Sequence, residues 1–174
     1  MVALAGLLAP GTGCSQSTDG SATPSTGIDQ KAATEALWDP CTQIGDEVLR
    51  RLDVDPASRD SGVGGVQLDG WKICSWYHPP GHDYSLTIYS TIFTVDDFKK
   101  KKENVDFVGV SVTGRSGWKF RRDSDKRNET CDLLFSAGGG SLQISFNRLS
   151  PSASVSPCDR ATAAADVLVP LFPK

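Results

Sequence analysis

Four cysteines spread over the C-terminal three-quarters of the chain, Cys41, Cys74, Cys131 and Cys158, constrain its folding more than any other feature, while a fifth, Cys14, stands apart near the N-terminus. An even set with no CxxC spacing and no short Cys/His cluster points to disulfides in an oxidising compartment rather than to a zinc site. Four cysteines permit three connectivities. Cys41 with Cys74 and Cys131 with Cys158 is the preferred one, because each bond ties a predicted helix start to a nearby strand. Each would close a loop of about thirty residues and contribute roughly 3 to 4 kcal/mol.

A length of 174 residues with 39% hydrophobic content supports one compact core and leaves little room for a second. A net charge of -3 with 22% charged residues marks neither a disordered chain nor, globally, a nucleic-acid binder. No nucleic-acid partner is expected. Partners must be sought in local patterns.

Residues 1–13, MVALAGLLAPGTG, hold an apolar run too short to span a bilayer, and it gives way abruptly to the Ser/Thr/Gly-rich stretch SQSTDGSATPSTG. The first segment reads as a signal peptide, residues 14–36 as a flexible tether, and residues 37–174 as a single globular domain. With Gly11, Thr12, Gly13 and Cys14 in the place of a lipobox, this N-terminus resembles a bacterial lipoprotein precursor. Gly11 stands where an aliphatic residue is usual and no Lys or Arg precedes Cys14, a pattern expected if the true start codon lies upstream. The resemblance implies acylation of Cys14, anchoring at the extracytoplasmic face of the cell membrane, and O-glycosylation within the tether. The alternative is a cleaved secretory signal with an unremarkable Cys14; either reading exports the domain.

Within the domain, Asp39, Pro40 and Cys41 read as an N-cap followed by Pro at the first helical position, opening a helix over about 40–52 with Ile44, Val48, Leu49 and Leu52 on one face. The stretch VDPASRDSGVGGVQLDG is rich in turn formers. GWKICSWYH and YSLTIYST alternate as strands of a hairpin around the turn HPPGH. Thr94 precedes VDDFKKKKE, whose early carboxylates and late lysines complement a helix dipole over about 95–103. DFVGVSVT, GWKFRRD, TCDLLFSA and SLQISFNRL read as an antiparallel meander, and Pro157 and Cys158 open an Ala-rich C-terminal helix. The expected fold is α+β, an antiparallel sheet of about five to six strands packed against two or three helices.

The order DPC, GWKICSW, YSLTIYST, VDDF, TCDLLF and a late PCDRA before an Ala-rich helix resembles a family of actinobacterial cell-envelope lipoproteins built on one domain of unknown function. It covers roughly residues 37–172. The resemblance implies location, anchoring and paired cysteines, and it supplies no catalytic residues. The element order is also similar to the α+β sandwich of the Mog1p/PsbP type, an analogy of fold alone.

Residues that could carry chemistry have simpler readings. His78 and His82 flank HPPGH, where two prolines and Gly81 already explain a hairpin turn, so no metal is assigned. Ser116 in GRSGW lacks the spacing of a nucleophile elbow and reads as a turn residue. Asp96 and Asp97 sit in a helix first turn, where the dipole explains them. Trp38, Trp71, Trp76 and Tyr77 read as core and rim. Asn128, Glu129 and Thr130 match a glycosylation sequon without expected meaning. No enzymatic activity and no cofactor is expected.

Charge is unevenly distributed: residues 99–127 carry ten basic side chains to four acidic, and residues 28–70 nine acidic to four basic. Lys99, Lys100, Lys101, Lys102, Arg115, Lys119, Arg121 and Arg122 are the candidate contacts to an anionic surface, worth about 1 kcal/mol per basic residue at an anionic bilayer. Alternation in GWKFRR places Trp118 and Phe120 on one side of the strand and Lys119 and Arg121 on the other. The favoured function is a membrane-anchored, non-catalytic envelope module for a lipid, glycan or protein partner; the alternative is a small envelope hydrolase or metal-handling protein.

Overall fold

Alternating side chains in the computed structural model, described over residues 27–174, build one antiparallel sheet of seven strands. The strands are β1 (Asp60–Ser61), β2 (Trp71–Tyr77), β3 (Tyr84–Thr91), β4 (Asn104–Val112), β5 (Arg115–Arg122), β6 (Thr130–Ala137) and β7 (Gly140–Arg148), in the order β1-β2-β3-β7-β6-β5-β4. The fold is α+β. The expected signal segment, Cys14 and most of the expected tether lie outside the described residues.

The sheet exceeds the expected five to six strands because β1, inside the turn-rich stretch, pairs Asp60 with Ser75 and Ser61 with Cys74 at one edge. Two antiparallel runs, β1-β2-β3 and β4-β5-β6-β7, meet where β3 pairs with β7 along their whole length, Tyr84 opposite Arg148 through Thr91 opposite Ser141.

Among the described residues five α-helical segments accompany the sheet, more than the two or three expected: α1 (Gly27–Glu35), α2 (Pro40–Gln43), α3 (Asp46–Arg51), α4 (Val95–Lys100) and α5 (Pro157–Leu168). The first falls within the stretch expected as tether, and Thr34 Oγ1 docks it by accepting from Gly70 N at 2.7 Å. The helix expected over 40–52 is broken in two. Ile44 and Gly45 are extended, which avoids the cost of about 1 kcal/mol for an interior glycine and lets both Ile44 and Leu49 bury in the core. Helix α4 opens with a capping box between Thr94 and Asp97. It ends earlier than expected, because Lys101 is extended and the Asn104 side-chain amide donates to the Phe98 carbonyl at 3.0 Å. Helix α5 is capped by Ser156, starts on Pro157, and buries Ala161, Ala164, Ala165 and Leu168 at helical spacing.

The two faces of the sheet differ. On the first, Cys74, Trp76, Leu86, Ile88, Leu133, Phe135, Ile144 and Phe146 form the main core with Leu49, Leu52 and the apolar stripe of α5. Disulfides Cys41–Cys74 and Cys131–Cys158, spanning 33 and 27 residues, pin α2 and α5 to this face. The second face carries a smaller aromatic cluster under α4, with Phe98, Phe120 and Leu134 buried and Trp71, Phe93 and Phe107 packed around them. Beside it the face is polar.

Candidate functional site, the polar face of the sheet

Strand register explains how a polar patch forms inside a sheet. With Leu134 facing the aromatic cluster, period-two alternation puts Asp132 and Thr130 on the same side of β6. The pairs Asp132–Ser145, Leu134–Gln143, Gln143–Tyr89 and Ser145–Thr87 carry that side across β7 to β3. Serine, threonine and amide side chains here satisfy one another: Ser75 and Thr87 hydroxyls lie 2.9 Å apart, and Thr130 Oγ1 donates to Asn147 Oδ1 at 3.0 Å.

Asp132 is the centre of this patch. Its side chain is fully buried, Gln143 Nε2 donates to its Oδ1 at 2.7 Å, and Arg122 Nε stands 3.6 Å from its Oδ2, which has no hydrogen-bond partner. Burial pushes the Asp132 carboxyl above its ordinary range, outweighing the downward pull of Ser145, Arg122 and Gln143. Tyr89 is likewise held in its phenol form, chiefly by burial, with Arg122 opposing. The buried Asp132 side chain thus orients a buried amide and a guanidinium that is partly exposed.

Those two side chains line a cavity of about 280 Å³ together with Trp71, Tyr89, Phe98 and Lys101. Trp71 meets Tyr89, Phe93 and Phe98 with ring centroids 5.5 to 6.0 Å apart, and Lys101 Nζ lies 5.6 to 5.9 Å from the Trp71, Phe93 and Phe98 centroids. Nearby, Lys99 Nζ sits 3.3 Å from the Trp118 ring centroid. Val63 and Leu68 reach the same cavity from the turn before β2, and Glu103 is its acidic lining residue. The arrangement offers stacking surfaces, two cations and fixed polar groups, a composition suited to binding.

The structure divides the eight basic residues expected to form one surface. Lys99, Lys101 and Arg122 lie on the cavity side, as the ring contacts and the Asp132 pair fix them. Lys100 pairs with Asp97 and Lys102 is exposed. Lys119 and Arg121 alternate onto the opposite side of β5, where Arg121 donates to Asp106 at 2.8 Å and to Asn128 at 2.7 Å. Arg115, also on that side, donates to the backbone carbonyls of Ser136 and Pro173. Burial lowers its guanidinium from the ordinary value.

His78 and His82 bracket the β2–β3 turn, against the rings of Tyr84 and Tyr77 respectively. Among the described residues no group of three His, Cys, Asp or Glu side chains is placed to hold a metal ion. Ser116 lies within β5 rather than in the turn expected, and it is exposed. Trp38, Trp71, Trp76 and Tyr77 do not form one cluster: Trp76 is buried in the main core, Trp38 packs on Phe172, and Trp71 lines the cavity on the other face.

Asp132 and Gln143 escaped the reading of the sequence because each sits inside a string otherwise typical of a buried strand. The available signal was alternation: in TCDLLFSA and SLQISFN, Asp132 and Gln143 occupy positions of the same parity as other polar residues, marking a second face that is not purely apolar.

No curated protein and no solved structure matches the chain. Residues 9–171, nearly the entire sequence and including Cys14, match the family model described as protein of unknown function DUF3558, and the chain belongs to that family.

Proposed function

We propose that the chain is an exported cell-envelope domain of the actinobacterial lipoprotein type, anchored through acylated Cys14, that acts by binding a partner without catalysis. The observation that carries the binding reading is the cavity on the polar face, where buried Asp132 holds Arg122 and Gln143 beside Trp71, Tyr89 and Lys101. Two disulfides favour an oxidising address. They leave Cys14 as the odd cysteine, available for a different modification.

Intact mass of the native protein from the membrane fraction, before and after reduction and alkylation, tests the address. The expected result is a chain beginning at acylated Cys14, with four further alkylated sites appearing only on reduction. An unacylated species sinks the anchoring, and thiols free before reduction sink the oxidising compartment. Amide chemical shifts of Trp71, Tyr89 and Gln143 followed during titration with envelope lipids and glycans test the binding face; perturbation confined to the opposite face overturns it.

A further inference from the structure

The turn between β1 and β2 is unusual for what it exposes. Val63 and Val66 bridge across Gly64 and Gly65, each donating its N–H to the other's carbonyl at 2.9 and 3.1 Å, and both glycines have positive φ. Gly62 is required as well, since its φ is +83° and a Cβ there would lie 2.2 Å from the Val66 carbonyl oxygen. This backbone fixes a tight tip whose aliphatic side chains point outward: Val63 is 57%, Val66 60% and Leu68 41% exposed. Single exposed aliphatics are ordinary, but three within six residues, on a tip held rigid by its own hydrogen bonds, form a patch.

Behind the tip lies the cavity of the polar face, with Val63 and Leu68 at one side and Lys101 and Arg122 at the other. The Arg122 guanidinium has no hydrogen-bond partner among the described residues beyond its approach to Asp132, and Lys101 has no ion-pair partner there. At about 280 Å³ the cavity falls just below the range of roughly 300 to 1,000 Å³ usual for small-molecule pockets. That space matches a headgroup-sized ligand. Two cations to one carboxylate among its lining residues favour an anion, and the aliphatic lip favours an anion presented at an apolar boundary.

We propose that the 62–68 turn and the cavity behind it are a docking site for the anionic surface of a phospholipid bilayer. Val63, Val66 and Leu68 enter the headgroup layer while Lys101 and Arg122 hold a lipid phosphate. The site rests on the envelope reading for the presence of a bilayer, and it is independent of acylation. It orients the domain with the polar face toward the membrane and the disulfide-bearing face away.

The test uses the full chain with Cys14→Ser, so that no anchor contributes, and vesicles of phosphatidylcholine alone or mixed with phosphatidylglycerol, read by flotation and tryptophan fluorescence. Binding is expected to the mixed vesicles and not to phosphatidylcholine. Val63→Ser/Val66→Ser/Leu68→Ser and Lys101→Gln/Arg122→Gln should each lower partitioning about tenfold, whereas Arg51→Gln/Lys119→Gln, removing the same charge from the opposite face, should not. Lys101→Gln alone, at an exposed position, gives the same direction should the Arg122 change disturb Asp132. No binding to the mixed vesicles overturns the proposal, as does an equal loss in the opposite-face variant or none in the aliphatic one. Octyl phosphate bound in the cavity by a chain that ignores vesicles also overturns it, in favour of a carried amphiphile. Failure to find acylated Cys14 leaves these outcomes standing.

Discussion

Arg122 stands 3.6 Å from the carboxylate of Asp132, an aspartate wholly withdrawn from solvent in the middle of a β-sheet, while Arg122 itself remains 44% exposed. The pair is lopsided: the anion carries the desolvation cost and the cation keeps its water. Burial consequently raises the proton affinity of Asp132 in the folded state. A folded-state carboxyl raised above its unfolded value holds its proton more tightly than in the unfolded chain. Its stabilising contribution is complete below the ordinary aspartate range and is lost as pH rises through the folded value. Asp132→Asn removes the titrating group. Relative to the wild type, its urea midpoint should rise between pH 4 and pH 7.5. Parallel pH profiles for the two proteins would contradict this account.

Glycine at 140 and glycine at 109 make opposite predictions within the same sheet. A Cβ on Gly140 would lie 1.8 Å from the Thr91 carbonyl oxygen and 2.8 Å from the Ile92 backbone, whereas one on Gly109 meets nothing within 4 Å. Gly140→Ala should therefore force β7 away from the end of β3 and cost about 3 kcal/mol. Gly109→Ala should leave the thermal midpoint unchanged or slightly raised, because it reduces the unfolded chain's freedom by about 0.4 to 1 kcal/mol. Paired melting curves decide the matter.

Removal of either disulfide is expected to cost about 2 to 5 kcal/mol, since both close loops of comparable length. Cys131→Ala/Cys158→Ala should in addition loosen α5, whose first turn carries Cys158. Hydrogen exchange in α5 should accelerate in that variant while α2 stays protected. Equal acceleration in both helices would argue against separate staples.

Lys99 above Trp118 offers a local probe. With the ammonium 3.3 Å from the ring centroid, Lys99→Met should cost about 0.5 to 1 kcal/mol and change the Trp118 emission. A null effect on both readouts would reduce the contact to a surface coincidence.

Much of the architecture was legible in the chain. Strings such as YSLTIYST and SLQISFNRL alternate strongly enough to declare strands, and Thr94, Ser156 and Pro157 sit where caps and helix starts belong. What stayed hidden depends on long-range placement. Helix spacing runs unbroken from Ile44 to Leu52, and only core packing shows why Ile44 and Gly45 leave the helix. Alternation separated Trp118 from Lys119, but the basic residues of α4 and β5 could be assigned to faces only once the chain had folded. Val63, Val66 and Leu68 were concealed among turn formers, because a sequence does not announce which aliphatic residues a glycine-shaped tip turns outward.

Both covalent links enter the sheet from its first side, fastening α2 through Cys74 and α5 through Cys131. The opposite side has no such fastening: α4 rests there on a few aromatic contacts and a capping box. Conformational freedom is thereby allotted unequally, so that opening events of low free energy belong to α4 while the helix-covered side opens only with the whole domain. The molecule has a stiff back and a yielding front, and the yielding front is the one that carries the cations.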